Sequence, residues 1–152
     1  MTLKWVYRSF DLLSPKELYD VLYLRSEVFV VEQQCIYLDP DRNDAQAFHL
    51  MGFLPDGTLA AYCRILPPGV TYSHASIGRV VTSPACRGMG FGKELMTRAI
   101  ETTLQQFGVN VIKIGAQAYL RKFYTDLGFK EMGSEYLEDG IPHIPMIHLQ
   151  LG

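Results

Sequence analysis

The sequence has little cysteine and no long apolar run. Its three cysteines, Cys35, Cys63 and Cys86, lie far apart among 152 residues and form no C-x-x-C pair. An odd count at this spacing argues against both a disulfide framework and a zinc site. No segment approaches the roughly 20 apolar residues of a membrane helix, and the N-terminus lacks the apolar core of a signal peptide. We therefore expect a cytoplasmic protein that binds no metal and does not associate with membranes.

An excess of charge of one sign is also lacking. The 14 Lys and Arg residues nearly balance the 16 Asp and Glu residues, so the formal net charge is -2 and the pI is near 6.1. A chain with this charge has no net positive electrostatic field that would attract nucleic acid or an anionic membrane. Any partner must then be recognised by local groups at a binding site. With 48% hydrophobic residues and no repeats, the chain is expected to form one domain over residues 1–152 with a single core.

The chain does contain an apolar strand, a glycine-rich turn and a helix in direct succession between residues 77 and 100. Gly88, Gly90 and Gly92 alternate in the turn. Without side chains there, consecutive backbone N–H groups can converge on one anion at the positive end of the helix. Apolar residues then recur at the spacing of a buried helix face: Phe91, Leu95, Ala99, Ile100, Leu104 and Phe107. This pattern predicts a phosphate cradle, although a glycine turn that only caps an ordinary helix is the structural alternative.

Two other phosphate-binding motifs do not fit this turn. A dinucleotide-binding G-x-G-x-x-G fails because Gly92 follows Gly90 after a single residue. A P-loop fails because Glu94 stands where serine or threonine is required, and Arg87 stands where the first glycine is required. The motif that remains is Arg87-x-x-Gly90-x-Gly92.

This motif resembles the [Arg/Gln]-x-x-Gly-x-[Gly/Ala] pyrophosphate loop of the GNAT superfamily of acyl-CoA-dependent N-acetyltransferases. A second stretch, Phe-Tyr-x-x-Leu-Gly-Phe at residues 123–129, also resembles that family. Further stretches at residues 25–37, 41–50 and 138–146 look like the ElaA-type branch of GNAT proteins. The resemblance therefore covers nearly the whole chain.

The resemblance implies a GNAT-like α/β (α+β) fold, with a mixed central sheet of about six to seven strands, flanked by helices and splayed between the fourth and fifth strands. Local patterns place a helix after the capping box Ser14-Pro15-Lys16-Glu17 and a second helix after Gly90. The segment 117–129 reads as a short helix that ends at Gly128, and Phe129 is predicted to start the next strand. Strands are predicted at residues 4–10, 47–54, 59–66, 77–82, 109–116, 131–136 and 143–151.

The resemblance also implies acetyl-CoA as cosubstrate. The diphosphate would be held by the turn residues Arg87, Gly88, Met89, Gly90, Phe91, Gly92 and Lys93. The backbone of Val80, Val81 and Thr82 would pair with the pantetheine arm. Gln117 stands where the family often has asparagine, and the resemblance implies a contact from this position to the pantetheine or the substrate.

Acetyl transfer to an amine needs a base, because freeing an amine of pKa about 10.4 at neutral pH costs roughly 4 to 5 kcal/mol. Glu32 is the first candidate and His143 the second; the other candidates are Asp39, Asp41, Asp44 and His49. The tyrosine at the place of Tyr124 commonly faces the cofactor sulfur in the family, so Tyr124 is the candidate acid for the leaving thiolate. A core tyrosine on a helix face is the structural alternative.

Arg25 stands on the apolar face of the first helix, where a leucine would be expected. It is either a snorkelling arginine at the helix edge or an arginine aimed into a cleft and paired with Glu32, seven residues later. The following loop, residues 34–44, resembles the start of a calcium loop, but Asp44 and Leu50 replace the required glycine and glutamate. No metal is expected there, although its aspartates would suit a cationic acceptor.

The expected function is direct transfer of an acetyl group to a primary amine of a small molecule or a peptide. Three alternatives remain: an acyl-CoA sensor without catalysis, an acyl-homoserine-lactone-synthase-like enzyme, and an interaction domain with a vestigial loop. A covalent acyl-Cys86 intermediate is disfavoured because no histidine lies nearby in sequence. Apolar residues within 141–146 suggest a possible homodimer surface.

Overall fold

Two antiparallel sheets lie side by side in the computed structural model, which describes residues 2–151. Within that range the chain forms eight strands and three α-helices. The strands are β1 (Lys4–Ser9), β2 (Phe48–Phe53), β3 (Leu59–Leu66), β4 (Ser76–Thr82), β5 (Val111–Gln117), β6 (Phe129–Glu131), β7 (Tyr136–Glu138) and β8 (Ile141–Leu149). The helices are α1 (Pro15–Arg25), α2 (Phe91–Phe107) and α3 (Arg121–Asp126).

The sheet opens between its fourth and fifth strands. The first sheet has the order β1-β2-β3-β4, and the second has β5-β8-β6 with β7 also paired to β8. Between β4 and β5 lies one parallel bridge, Ala75 with Ile112, where the Lys113 N–H donates to the Ala75 carbonyl at 2.9 Å. No further ladder joins these two strands in the part of the chain that the structure describes. The predicted parallel pair and the predicted splay are both confirmed.

The first helix begins as the sequence predicts and ends differently. The Glu17 N–H donates to Ser14 Oγ at 3.0 Å, and the Ser14 N–H donates to the Glu17 carboxylate at 2.8 Å, which completes a capping box. After Arg25 the chain continues as a π-helix, Ser26–Glu32. Its wider turn is shown by backbone hydrogen bonds between residues five positions apart. One of these joins the Gln33 N–H to the Val28 carbonyl at 3.1 Å.

The core lies on both faces of β3, in which every residue is buried. One cluster packs α2 and α3 against the two sheets, with Leu95, Met96 and Phe129 among its fully buried side chains. The other packs α1 onto the opposite face, through Val21 and Tyr62. Burial on both faces explains why β3 has a continuous apolar pattern rather than an alternating one.

Two element boundaries differ from the sequence-based prediction. Gln117 is the last residue of β5 rather than the start of a helix, because it pairs in register with His143 on β8. The single strand predicted at residues 131–136 is instead the end of β6 and the start of β7, each three residues long and each paired to β8. The long strand β8 thus pairs with two short strands that no local sequence pattern separates, so the described residues form eight strands. No helix within residues 2–151 has the length and apolar character to cross a membrane.

Candidate active site

The edge of β4 that faces the opening carries the segment predicted to bind the pantetheine arm. On its other edge, Val81 and Thr82 pair with β3. Between the pairs Tyr62 with Val81 and Arg64 with Gly78, two β4 residues, Arg79 and Val80, oppose one residue of β3. This is a β-bulge, and Arg79 at φ 51° lies in the left-handed region within it. The bulge and the missing ladder to β5 leave backbone groups of β4 available to a ligand.

The glycine turn that follows β4 forms an open cradle at the start of α2. Gly88 and Gly90 have φ of 82° and 78°, and Gly90 is the N-cap of this 17-residue helix. A Cβ atom at either position would meet nothing within 4 Å, whereas a Cβ at Gly92 would lie 3.8 Å from Phe123. Gly88 and Gly90 are therefore required by the backbone conformation, and the space in front of the helix N-terminus is clear for an anion.

The other turn residues divide between the cradle and the core. Met89 and Lys93 are exposed, so the Lys93 ammonium in the first turn of α2 is available to an anion. Phe91, by contrast, is buried in the core, so it can offer a ligand only its backbone N–H. Burial of Phe91 fixes the direction of the first helical turn and with it the direction of the N–H groups.

Arg87, the arginine of the cradle, is bound to Glu32. Its Nη1 and Nη2 atoms donate to the two carboxylate oxygens of Glu32 at 2.7 and 2.6 Å. Both side chains are about two-fifths exposed. The hydrogen bonds and the charge of Arg87 hold the pKa of Glu32 below its usual value, which makes this carboxylate a weaker base while the contact persists.

Gln117 and His143 lie at the end of β5, on the other side of the opening. The side-chain amides of Gln117 and Gln33 bond to each other in both directions, at 3.1 and 3.4 Å. The largely buried His143 donates from Nδ1 to the Ile141 carbonyl at 2.7 Å. Donation to a carbonyl requires a proton on Nδ1, so in the neutral ring Nε2 carries the free lone pair. Glu138 lies 3.6 Å from this Nε2.

Tyr124, the candidate acid, projects from α3 into the core. Its ring packs edge-on against Phe129 and Phe123, with centroids 5.8 and 5.1 Å away. Its hydroxyl makes no hydrogen bond to another residue in the range 2–151. Burial raises the pKa of Tyr124, so the hydroxyl keeps its proton at neutral pH.

A buried ionic network beside the opening was missed by sequence reasoning. Arg25 is fully buried, and it donates from Nε to Asp39 at 2.8 Å and from Nη1 to Asp44 at 2.7 Å. Neither a snorkelling Arg25 nor a pair with Glu32 is correct. The π-helix places more residues in each turn, so Glu32 does not return to the face of Arg25 as it would in an α-helix.

Two further arginines complete this network. Arg64 on β3 donates to Asp41 at 2.7 Å and to Asp44 at 3.0 Å, and Arg79 donates to the Asp39 carbonyl at 2.8 Å. The three loop aspartates are thus held by arginines and are not free to receive a cationic acceptor or to act as its base. His49, another candidate base, is fully buried between the Tyr62 hydroxyl and the Asp44 carbonyl. An arginine on an apolar helix face, followed by three aspartates, was the only sequence signal of this network.

Comparison with known proteins defines the class. Residues 29–149 match the acetyltransferase (GNAT) domain. The crystal structure of an acyl-CoA N-acyltransferase from Pseudomonas aeruginosa superposes with a TM-score of 0.91 at 42% identity, over 97% of this chain and 99% of that one. The chain belongs to the GNAT acetyltransferase family and has its acyl-CoA N-acyltransferase fold, as the sequence resemblance predicted.

The relatives also define the branch within this family. Escherichia coli ElaA is 43% identical over 136 residues, 88% of each chain, and its crystal structure superposes with a TM-score of 0.89 over 96% of this chain and 99% of that one. A UPF0039 protein of Synechocystis is 42% identical over 147 residues, 97% of this chain and 96% of its own. The chain is an ElaA-type GNAT protein. Among residues 2–151, no group of three or more His, Cys, Asp or Glu side chains is arranged to hold a metal ion.

Proposed function

We propose that this protein transfers an acetyl group from acetyl-CoA directly to a primary amine, within a ternary complex. Acyl transfer follows from membership of the family. That the acyl group is acetyl and that the acceptor is a primary amine are proposed here. The observation that carries it is the open cradle at Gly88 and Gly90, next to the unpaired edge of β4. Together they offer backbone hydrogen-bond donors for an anion and a free strand edge in adjoining parts of the chain.

The cosubstrate would be held by three parts of the chain. The backbone N–H groups at the start of α2 receive the diphosphate, with added charge from Arg87 and Lys93. The free edge from Val80 to Thr82 pairs with the amide groups of the pantetheine arm, as an added strand would. One of these N–H groups also polarises the carbonyl of the thioester, the group that the amine attacks.

His143 is the better placed base for the amine. Its Nδ1–H is held by the Ile141 carbonyl, so Nε2 is the atom that can accept a proton. Glu32 is held by Arg87 in the free protein, which lowers its pKa, and a carboxylate released from that contact is still a weaker base than an imidazole. We therefore reverse the order favoured by the sequence, and Glu32 becomes the second candidate.

Tyr124 would act on the leaving thiolate. Its raised pKa makes full proton transfer to a thiolate of pKa about 8.5 unfavourable, so its hydroxyl stabilises the developing charge by hydrogen bonding. The absence of a protein partner for this hydroxyl within residues 2–151 leaves it free for that bond. This role predicts a graded loss of rate on removal of the hydroxyl rather than complete inactivation.

Two measurements test the proposal. Calorimetry with CoA should detect binding to the wild-type protein and its loss when Gly90 is replaced by a bulky residue. Thiol release from acetyl-CoA in the presence of a panel of amines should then detect turnover. Binding without turnover over a broad panel would favour an acyl-CoA sensor, and no binding at all would contradict the proposal.

A further inference from the structure

Two consecutive residues bridge the opening between the splayed strands. Glu32 binds Arg87, which follows β4, and Gln33 binds Gln117, which ends β5. Because β4 and β5 are parallel, their C-terminal ends lie at the same edge of the opening. We call the side-chain contacts of Glu32 and Gln33 with these two partners the clasp.

The clasp occupies the groups that the cosubstrate would use. Both terminal nitrogens of Arg87 are taken by one carboxylate, which is the geometry that also receives two phosphate oxygens. The Gln117 amide is likewise taken by the Gln33 amide, at 3.1 Å in its shorter bond. A diphosphate carries more negative charge than a carboxylate, so it can displace Glu32 from Arg87.

We infer that the clasp is a latch that the cosubstrate opens: its diphosphate replaces Glu32 on Arg87, and its pantetheine arm replaces Gln33 on Gln117. This inference rests on the proposed function. The exchange releases the Glu32 carboxylate beside the opening, where it can pair with a positively charged amine. The latch therefore favours ordered binding, with acyl-CoA before the amine.

The latch needs no large energy. An exposed ion pair is weak, so displacement is feasible and the contact still opposes binding measurably. A contact made only in the free protein lowers the apparent affinity of the ligand that breaks it. Removing Glu32 should thus tighten CoA binding, although Glu32 lies beside the site.

The test is calorimetry of CoA binding to Glu32→Gln, with Glu27→Gln as the matched control. Glu27 lies on the same π-helix, and its charge also raises the pKa of Arg87, but its carboxylate accepts no hydrogen bond from Arg87. We expect Glu32→Gln to tighten binding about two- to fivefold at low salt and Glu27→Gln to change it less than about 1.5-fold. The gain should shrink at high salt.

An Arg87→Gln variant tests whether Glu32 affects CoA binding through its contact with Arg87. In an Arg87→Gln background, where binding is weakened, Glu32→Gln should give no further gain, because the contact it removes is already lost. Unchanged or weaker binding by Glu32→Gln would overturn the latch, and weaker binding would mean that Glu32 orients Arg87 for the diphosphate. If the wild-type protein does not bind CoA, both the proposed function and the latch are overturned, whereas wild-type binding without the Glu32 effect overturns the latch alone.

Discussion

The guanidinium of Arg25 lies fully buried between the carboxylates of Asp39 and Asp44, 2.8 Å from the first and 2.7 Å from the second. This contact joins the end of α1 to the loop that leads into β2. Arg64 and Arg79 attach the same loop to β3 and β4. The clasp residues lie directly before this loop, so the network also fixes one end of the segment that bridges the opening.

Arg25→Met should be strongly destabilising. Removing one partner of a buried ion pair leaves an incompletely compensated charge, which typically costs about 3 to 5 kcal/mol. The control is Lys122→Met, because the pair of Lys122 with Asp126 is largely exposed and should contribute less than about 0.5 kcal/mol. Urea unfolding followed by circular dichroism measures the free energy of unfolding of both variants. Equal losses in the two variants would contradict a stabilising role for the buried contacts of Arg25.

Asp44 should make the fold sensitive to acid. Burial alone would raise its pKa, but the hydrogen bonds and charges of Arg25 and Arg64 outweigh burial and lower it. A carboxyl with a lowered pKa in the folded state stabilises fully above its unfolded pKa of about 3.9, and that stability is lost as the pH falls through the folded value. Tm of the wild-type protein should thus fall steeply below about pH 4.

Asp44→Asn is the matched variant for this acid effect. It should have a lower Tm at neutral pH, since the buried arginines lose a charged partner, and a smaller drop between neutral and acid pH. A wild-type and a variant curve that run parallel through the acid range would show that other groups carry the acid sensitivity.

Gly90→Ala and Gly92→Ala should differ sharply. Alanine at φ 78° is strained by about 1 to 2 kcal/mol, whereas alanine at position 92 meets Phe123 at an ordinary 3.8 Å. We expect a lower Tm and weaker CoA binding for Gly90→Ala, and nearly wild-type values for Gly92→Ala. Equal CoA affinity in the wild-type protein, Gly90→Ala and Gly92→Ala would mean that the cradle does not bind the diphosphate.

Tyr124→Phe should lower kcat about tenfold to a hundredfold while CoA affinity and Tm stay close to wild type. Stability is spared because the hydroxyl has no protein partner among residues 2–151, so its removal leaves no buried group unpaired. Steady-state turnover, calorimetry and thermal unfolding separate the three quantities. An unchanged kcat would remove Tyr124 from the site and leave it as a core tyrosine.

His143→Gln should lower kcat/KM about a hundredfold at neutral pH, where an amine of pKa about 10.4 is mostly protonated and needs a base. The loss should shrink as the pH rises towards the pKa of the amine, because more of the amine is then already free. Glu32→Gln should lower kcat/KM less at neutral pH, because a carboxylate is a weaker base than an imidazole. Profiles of kcat/KM against pH for both variants with one amine decide between the two residues. A larger loss at neutral pH in Glu32→Gln, shrinking at high pH, would instead make Glu32 the base.

Much of the fold followed from local sequence signals. The capping box at Ser14 marks a helix start by satisfying backbone donors within four residues, and the glycines at 88 and 90 mark a turn that glycine adopts without strain. The division of this segment into two strands, β6 and β7, escaped prediction because each is stabilised by pairing with β8, which lies later in the chain. The partners of Arg25 escaped it because the α-helical period does not continue into the π-helix.

The sequence by itself determined the strand, turn and helix of the cradle and the family resemblance, because glycine conformation and helix capping are local properties. Tertiary structure alone decided which charges meet. It removed three aspartates from the list of candidate bases, paired Glu32 with Arg87 and brought Gln33 to Gln117. These contacts join segments 14 to 84 residues apart through a fold that no short-range pattern encodes.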